Sequence, residues 1–390
     1  MGAAATETEQ REPRLDGLRG LAVLMVVLAH ATLFGAERTK LDSLLQALPS
    51  LGWSGVDLFF VLSGFLITRI LLATRDSSSY YGTFWARRAL RIFPLYYLVL
   101  AFFLLIAPRV PALAELDRIW RAGAHPQGLW YWLYLSNWKV AFSGWDAQSL
   151  SIVWSLAIEE QFYLFWPFVV RALDERRLLV ACVAIAAGAV ATRLLLHLAG
   201  AGPLAGYVAT PCRLDPLAIG AAIAVLSRRP GGLAPYAERA RWVLFVAFWL
   251  FGTMALYFRA DARLRTIETL TQNMNPTVQI AGFALLAVGF GALLVATVTA
   301  PAGSFLARFF ALAPLREIGR VSYAIYLIHV AVWTAIRAPL MAVIRPWPYP
   351  LAQLAAWASV VLLSYAIAWV SWTLLESRVL ALKRHFPYRV

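Results

Sequence analysis

Apolar runs, each about as long as a bilayer is thick and parted by short basic turns, fill the chain from position 18 to 374. About 17–25 apolar residues in a helix cross the hydrocarbon core. On that measure spans fall near 18–36, 51–73, 92–107, 178–199, 207–227, 242–258, 276–299, 318–344 and 351–374. The stretch 128–170 holds two apolar pieces, GLWYWLYLSNWKVAF and SIVWSLAIEEQFYLFWPFVV, split by the polar SGWDAQSL. Loop charge decides how often it crosses. With one net crossing, and the aromatic piece interfacial or re-entrant, the arginine-rich turns alternate as cytoplasmic loops should. Arg14 and Arg19, then Arg75 to Arg91, Arg171 to Arg177, Arg228 to Arg241, Arg308 to Arg320 and Arg378 to Arg389 then share one side. A double crossing would invert every later loop and erase the bias. The pattern predicts an all-α polytopic membrane protein of about ten transmembrane helices with both termini cytoplasmic. A disordered tail covers 1–13, the membrane domain 14–376 and a basic tail 377–390. The first helix is expected to act as an uncleaved signal anchor, since the start lacks a signal peptide's charged-then-apolar pattern.

Composition agrees. The 390 residues are 61% hydrophobic and only 14% charged, with a mean hydropathy of +0.66, against about 25% charged in a typical soluble domain. The net charge of +14 sits in short loops, as topology requires, so a nucleic-acid partner is not expected. Cys182 and Cys212 fall in apolar stretches and read as packing residues. No P-loop, zinc-type histidine spacing or nucleophile-elbow serine is present, and no metal is expected.

The chemistry-bearing residues lie inside the apolar runs. Arg19 and His30 have ten residues between them in RLDGLRGLAVLMVVLAH. Eleven helical steps place them on one face, roughly 16 Å apart along the axis. Arg19 is then expected at the cytoplasmic mouth, able to pair with Asp16, and His30 near mid-bilayer, where a histidine is a candidate functional group. An arginine at the mouth and a base in the middle suit an anionic ligand whose reactive end reaches inward. Arg88 and Arg91 share a helix face just before the third span, where a bound phosphate would be favoured. Asp57 and Ser63 lie in GVDLFFVLSGFLI, and a carboxylate there needs a partner such as Arg213. Glu159 and Glu160, in WSLAIEEQFYL with Tyr163, point about 100° apart, so one can face a cavity while the other pairs elsewhere. Arg213 and Asp215 sit in CRLDPLAIG, and Tyr326 and His329 in GRVSYAIYLIH. His329 is either a second proton-handling group or a structural one. His125, His197 and His385 have no supporting motif.

Taken in order from Arg14 to Glu376, these motifs resemble acyltransferase family 3, the polytopic membrane O-acyltransferases. The resemblance implies transfer of an acyl group, often acetyl from cytosolic acetyl-CoA, to a hydroxyl of an exported glycan or small molecule. The family's Arg-x10-His pattern maps onto Arg19 and His30, and its paired arginines onto Arg88 and Arg91. With the residues, it implies that Arg19, Arg88 and Arg91 hold the donor's phosphates, that His30 acts as general base, and that Glu159 or Glu160 supports it. Asp16, Asp57, Ser63, Tyr163, Arg213, Asp215, Tyr326 and His329 would supply substrate contacts or structural support. A covalent acyl-histidine is the competing route. Many relatives carry a further extracytoplasmic hydrolase-like domain; this chain ends about 15 residues past its last span, so a separate extracytoplasmic partner would have to supply any second step. The expected acceptor is an envelope or secreted polysaccharide, with a small secondary metabolite such as a macrolide as the alternative. The expected location is the bacterial inner membrane, in contact with lipid. A secondary transporter is the rival of another class, although no internal repeat is seen; a non-enzymatic scaffold would leave the buried charges without a purpose.

Overall fold

A computed structural model describes residues 12–33, 39–113, 128–145, 149–260 and 274–389. Residues 1–11 of the expected N-terminal tail, His125 and several loop cations (Arg38, Arg118, Arg121, Arg263 and Arg265) lie outside the described residues. Among the described residues every regular element is helical. The chain opens with α1 (Pro13–His30), a short amphipathic α2 (Lys40–Ser50), and then the long helices α3 (Gly55–Ala73) and α4 (Tyr80–Ala101). The aromatic stretch makes only α5 (Leu129–Trp132) and α6 (Ser136–Ser143), both too short to cross a bilayer. Next come α7 (Trp154–Ala172), α8 (Glu175–Leu198), the short α9 (Pro203–Val208), α10 (Leu214–Leu226) and α11 (Ala237–Ala260). The last part holds α12 (Phe283–Val298), the small α13 (Phe305–Phe310) and α14 (Ala313–Arg320), then α15 (Ser322–Ile344), α16 (Tyr349–Ser371) and a terminal turn α17 (Ser377–Ala381).

Among the described residues, seven segments are long and apolar enough to cross a membrane: Lys40–Ala73, Tyr80–Arg109, Glu175–Leu198, Ala234–Tyr257, Val278–Val298, Ser322–Ile344 and Tyr349–His385. Three further helices, α1, α7 and α10, lie where spans were expected. The first two carry Asp16 and Arg19, and Glu159 and Glu160. The third has 13 residues, roughly 20 Å at the usual helical rise.

Helices α3 and α10 pack closely along their length, and two glycines allow it. A methyl at Gly64 would fall 2.0 Å from the Leu217 carbonyl, and one at Gly220 equally close to that of Val61. Small residues at such crossings let two backbones touch. Arg14, at the start of α1, donates to the carbonyls of Thr297 (3.1 Å), in the last turn of α12, and Ala300 (2.8 Å), just past it, where a helix end leaves carbonyls unpaired. Asp174 starts α8 by accepting from the Arg177 N–H at 2.8 Å; that bond, with the Arg177 charge, holds its carboxyl below the usual range. Cys182 and Cys212 are buried free thiols.

The described ends of the chain meet at one end of the bundle. Glu12 pairs with Arg69 at 2.7 Å, near the close of α3. The Arg389 carbonyl accepts from Ser77 Oγ (2.7 Å) and the Ser78 N–H (3.0 Å) in the following turn.

Two spans differ from expectation. The helix of the expected third span, α4, begins at Tyr80, so Arg87, Arg88 and Arg91 lie within it and not at its N-terminus. The argument for phosphate at a helix start therefore does not apply to them. Hydropathy missed these turns because arginines lower the mean. Arg87 is accommodated by donating to the Phe386 carbonyl (2.8 Å) and covering the Tyr388 ring (5.1 Å). The first helix ends at His30. There Gln353 Nε2 donates to the Ala31 carbonyl (3.1 Å), and Gln353 Oε1 accepts from the Leu33 N–H (2.7 Å).

Candidate active site

A cavity, part of it open to solvent, runs between α1, α3, α4, α7 and α15. Each helix brings polar groups to it at helical spacing: Arg19 from α1, Ser63 from α3, Arg88 and Arg91 from α4, Ser155, Glu159 and Tyr163 from α7, and Ser322, Tyr323 and Tyr326 from α15. Asp16 holds Arg19 from one turn away at 3.5 Å. The Arg88 guanidinium lies over the Tyr163 ring at 5.4 Å. Tyr163 and Ser63 share a short hydroxyl–hydroxyl bond. Glu159, one turn before Tyr163, is close enough to interact with Ser63, Tyr163, Arg88 and Arg19. Arg91 interacts with Glu376, whose carboxylate accepts from Ser371 Oγ at 3.1 Å across a π turn at Trp372–Glu376. Cations therefore gather at one end of the cavity, with one carboxylate among them.

Phe59, Ser155 and Tyr326 also line the cavity. The Tyr326 hydroxyl bonds with Ser155 Oγ (2.6 Å) and donates to the Ile152 carbonyl (3.1 Å), and its ring meets Phe59 edge-on. Next to Tyr326 lie the two histidines. His329 Nδ1 is 2.8 Å from the Tyr326 carbonyl, and His329 Nε2 is 3.2 Å from His30 Nδ1. His30 Nδ1 is also 2.9 Å from the Val26 carbonyl. Carbonyls only accept, so both Nδ1 atoms carry hydrogen when the rings are neutral. His329 Nε2 then accepts from His30, and the lone pair of His30 falls on Nε2. This assignment follows from the bonding pattern. His329 is fully buried, whereas His30 remains accessible. His30 thus does not line the arginine cavity itself; it sits behind the Tyr326 wall, against His329.

The two glutamates part company. Glu159 lines the arginine cavity, while Glu160 lines a second pocket on the other side of Arg88 and Tyr163. Three of the expected site residues lie apart from both. Asp57 pairs with Arg213 at 3.0 Å, and Asp215 with Arg193 through two bonds of 3.0 and 2.9 Å, all four buried. Arg193 had no role assigned from sequence. Ser155 and Phe59 were also not singled out, although Ser155 stands one turn before Glu159 on the same face, a spacing that could have found it. Removing the bond from His329, as in His329→Leu, is expected to lower turnover roughly 10–100-fold, the value of one hydrogen bond to a group that becomes charged. Unchanged turnover would reduce the histidine contact to packing.

The chain belongs to the acyltransferase domain family, which it matches over residues 12–369. It is 30% identical over 350 residues to the peptidoglycan O-acetyltransferase OatA of Listeria monocytogenes, covering 86% of this chain and 51% of that protein. A putative peptidoglycan O-acetyltransferase, YrhL of Bacillus subtilis, is 32% identical over 346 residues, covering 83% and 49%. The O-acetyltransferase OatA of Staphylococcus aureus is 28% identical over 337 residues, covering 81% and 50%. The chain thus spans about half the length of these relatives. No solved structure matches it significantly. Its apolar helices and its family make it a multi-pass membrane protein.

Proposed function

We propose that this protein is a membrane O-acetyltransferase that moves an acetyl group from cytosolic acetyl-CoA to a hydroxyl of an envelope glycan, of the peptidoglycan kind named for its relatives. The observation that carries the reading is the cavity: three arginines and Glu159 line it, and Tyr326 in its wall is in ring contact with His329, which meets His30. Arg19, Arg88 and Arg91 hold the phosphates of the donor by charge-assisted hydrogen bonds. The pantetheine arm lies along the cavity toward Tyr326, whose wall must give way for the thioester to reach His30. His30 Nε2 takes the proton of the acceptor hydroxyl as its oxygen bonds to the thioester carbon. The carbon–sulfur bond then breaks, and the thiolate recovers the proton from the imidazolium. Glu159, among the arginines, keeps their charges apart before the donor arrives. The described ends meet at one end of the bundle, which supports an even number of crossings, such as the ten of this reading with both termini cytoplasmic.

Saturating acetyl-CoA is expected to raise the melting temperature of the detergent-purified protein, as any ligand specific to the folded state must. Arg88→Ala and Arg91→Ala should each weaken that binding roughly 10–100-fold, the value of one hydrogen bond to a charged group. Absence of any shift at millimolar ligand, in folded protein, would remove the donor from the proposal.

A further inference from the structure

The segment Phe386–Arg389 is exposed at Phe386, Pro387 and Arg389, yet its backbone is anchored throughout. Exposed chain with few contacts normally frays. Here the Phe386 carbonyl accepts from Arg87 Nε (2.8 Å). The Pro387 carbonyl accepts from Ser79 Oγ and Thr83 Oγ1 (both 3.2 Å). The Arg389 carbonyl accepts from Ser77 Oγ (2.7 Å) and the Ser78 N–H (3.0 Å), and the Arg389 N–H donates to Ser79 Oγ (3.0 Å). Pro387 has no N–H and leaves no donor unpaired. The Arg87 guanidinium lies over the Tyr388 ring at 5.1 Å. All these partners come from one stretch, the serine-rich turn before α4 and the first turns of α4 itself. A cleft stays open between the two sides, lined among others by Tyr81, Gly82, His385 and Phe386. The contact is thus made of directional polar bonds across an open surface, and no apolar core seals it.

What the segment holds is the arginine turn of α4. Arg87 is followed directly by Arg88 and, one turn on, by Arg91, and both of these line the arginine cavity. The same part of the chain reaches α4 a second time, where Glu376 interacts with Arg91. The two contacts bracket Arg88, about 6 Å apart along the helix axis.

We infer that Phe386–Arg389 is a strap that docks reversibly on the Ser77–Arg87 surface, and that Arg87 is a positioning residue through which docking fixes the turn presenting Arg88 and Arg91 to the cavity. The docking is independent of what the cavity binds; its effect on donor affinity rests on the acetyl-CoA reading above. With the strap undocked, the start of α4 loses the bonds that fix it, and a donor held by its phosphates binds less tightly. The chemical step at His30 is untouched.

Docking is read first, with no acetyl-CoA present. A fluorescent peptide of residues 383–390 is titrated onto a variant that ends at His385, shown to be folded by size-exclusion chromatography and a ligand-free thermal melt. Saturable one-to-one binding is expected, and the full chain, whose own strap fills the surface, should bind the peptide poorly. Arg87→Ala should weaken the peptide roughly 10–100-fold, the value of one hydrogen bond from a charged group. Should the shortened variant fail to fold, the full chain carries the test. The Ser78 and Arg389 amides, bonded across the contact, should exchange hydrogen faster in Arg87→Ala, with α3 and α10 unchanged. Positioning is read in steady-state transfer. Arg87→Ala should raise KM for acetyl-CoA with kcat little changed, the mark of lost binding and intact chemistry. Arg87→Lys, which can still donate to the Phe386 carbonyl, should recover part of the loss, and the peptide should restore KM in the shortened variant. No saturable peptide binding, equal binding to the full chain, or unchanged exchange in Arg87→Ala would each overturn the strap. A docked peptide that leaves KM unaltered, or a loss in kcat alone, would overturn the positioning role. A wild-type chain that never uses acetyl-CoA would refute the donor reading and the effect on donor affinity with it, while the peptide and exchange results still decide the docking.

Discussion

His30→Ala is expected to lower turnover by roughly 10²–10⁴-fold, the usual contribution of a positioned general base, while the acetyl-CoA melting shift is retained. The separation follows from the geometry. His30 lies behind the Tyr326 wall and outside the arginine-lined cavity, so its loss removes no phosphate contact. It does remove the Nε2 of an exposed residue, whose lone pair is set by the hydrogen that Nδ1 shares between Val26 and His329. His30→Gln makes a useful second variant, since it keeps a polar side chain at the helix end but cannot take a proton at neutral pH. Steady-state transfer to a soluble hydroxyl acceptor, measured beside donor binding, distinguishes the outcomes. A folded His30→Ala protein with unchanged turnover would remove the base. One that lost donor binding as strongly as Arg88→Ala would place His30 in the binding of the donor instead.

Local sequence carried much of this site, because helical spacing alone determines which side chains share a face. The interval from Arg19 to His30, the pair Arg88 and Arg91, and the offset of Glu159 from Glu160 are properties of single helices, and each could be read without neighbours. What could not be read came from contacts between distant helices. His329 meets His30 across nearly three hundred residues of chain, and the orientation of that contact sets the tautomers. The early start of α4 was hidden because its arginines depress the hydropathy mean; their partners include residues at the very end of the chain. The end of α1 at His30 likewise depends on Gln353, and on Trp357 Nε1 donating to the Leu28 carbonyl at 3.1 Å. A carboxylate inside a span announced that Asp57 needs a cation. The partner of Asp215 was not legible, because Arg193 reads in sequence as one more arginine within a long apolar helix.

Breaking the Asp57–Arg213 pair is expected to destabilise the protein by about 3–5 kcal/mol, as removal of one partner from a buried ion pair does. The guanidinium has little else to bond: it is fully buried and enclosed by the rings of Phe283 (4.2 Å), Tyr207 (5.5 Å), Trp154 (5.8 Å) and Phe60 (5.9 Å). Aromatic faces attract a cation, but by only about 0.5–2 kcal/mol, less than the charge loses by leaving water. In Asp57→Ala the arginine keeps its rings and loses its counter-charge; in Arg213→Met the carboxylate is left alone. The double replacement Asp57→Leu with Arg213→Met should recover much of the loss, because apolar residues of similar volume often replace a buried pair at little cost. The pair ties the first turn of α3 to the start of α10, against Trp154 at the start of α7. The same helices carry Ser63, Ser155 and Glu159 into the arginine cavity. The single variants should therefore lose transfer activity through unfolding, at temperatures where the double variant still works. Equilibrium unfolding in mixed micelles supplies the comparison. Single-variant losses below about 1 kcal/mol that simply add in the double variant would show that the two charges are not coupled, and that the aromatic cage alone holds the arginine.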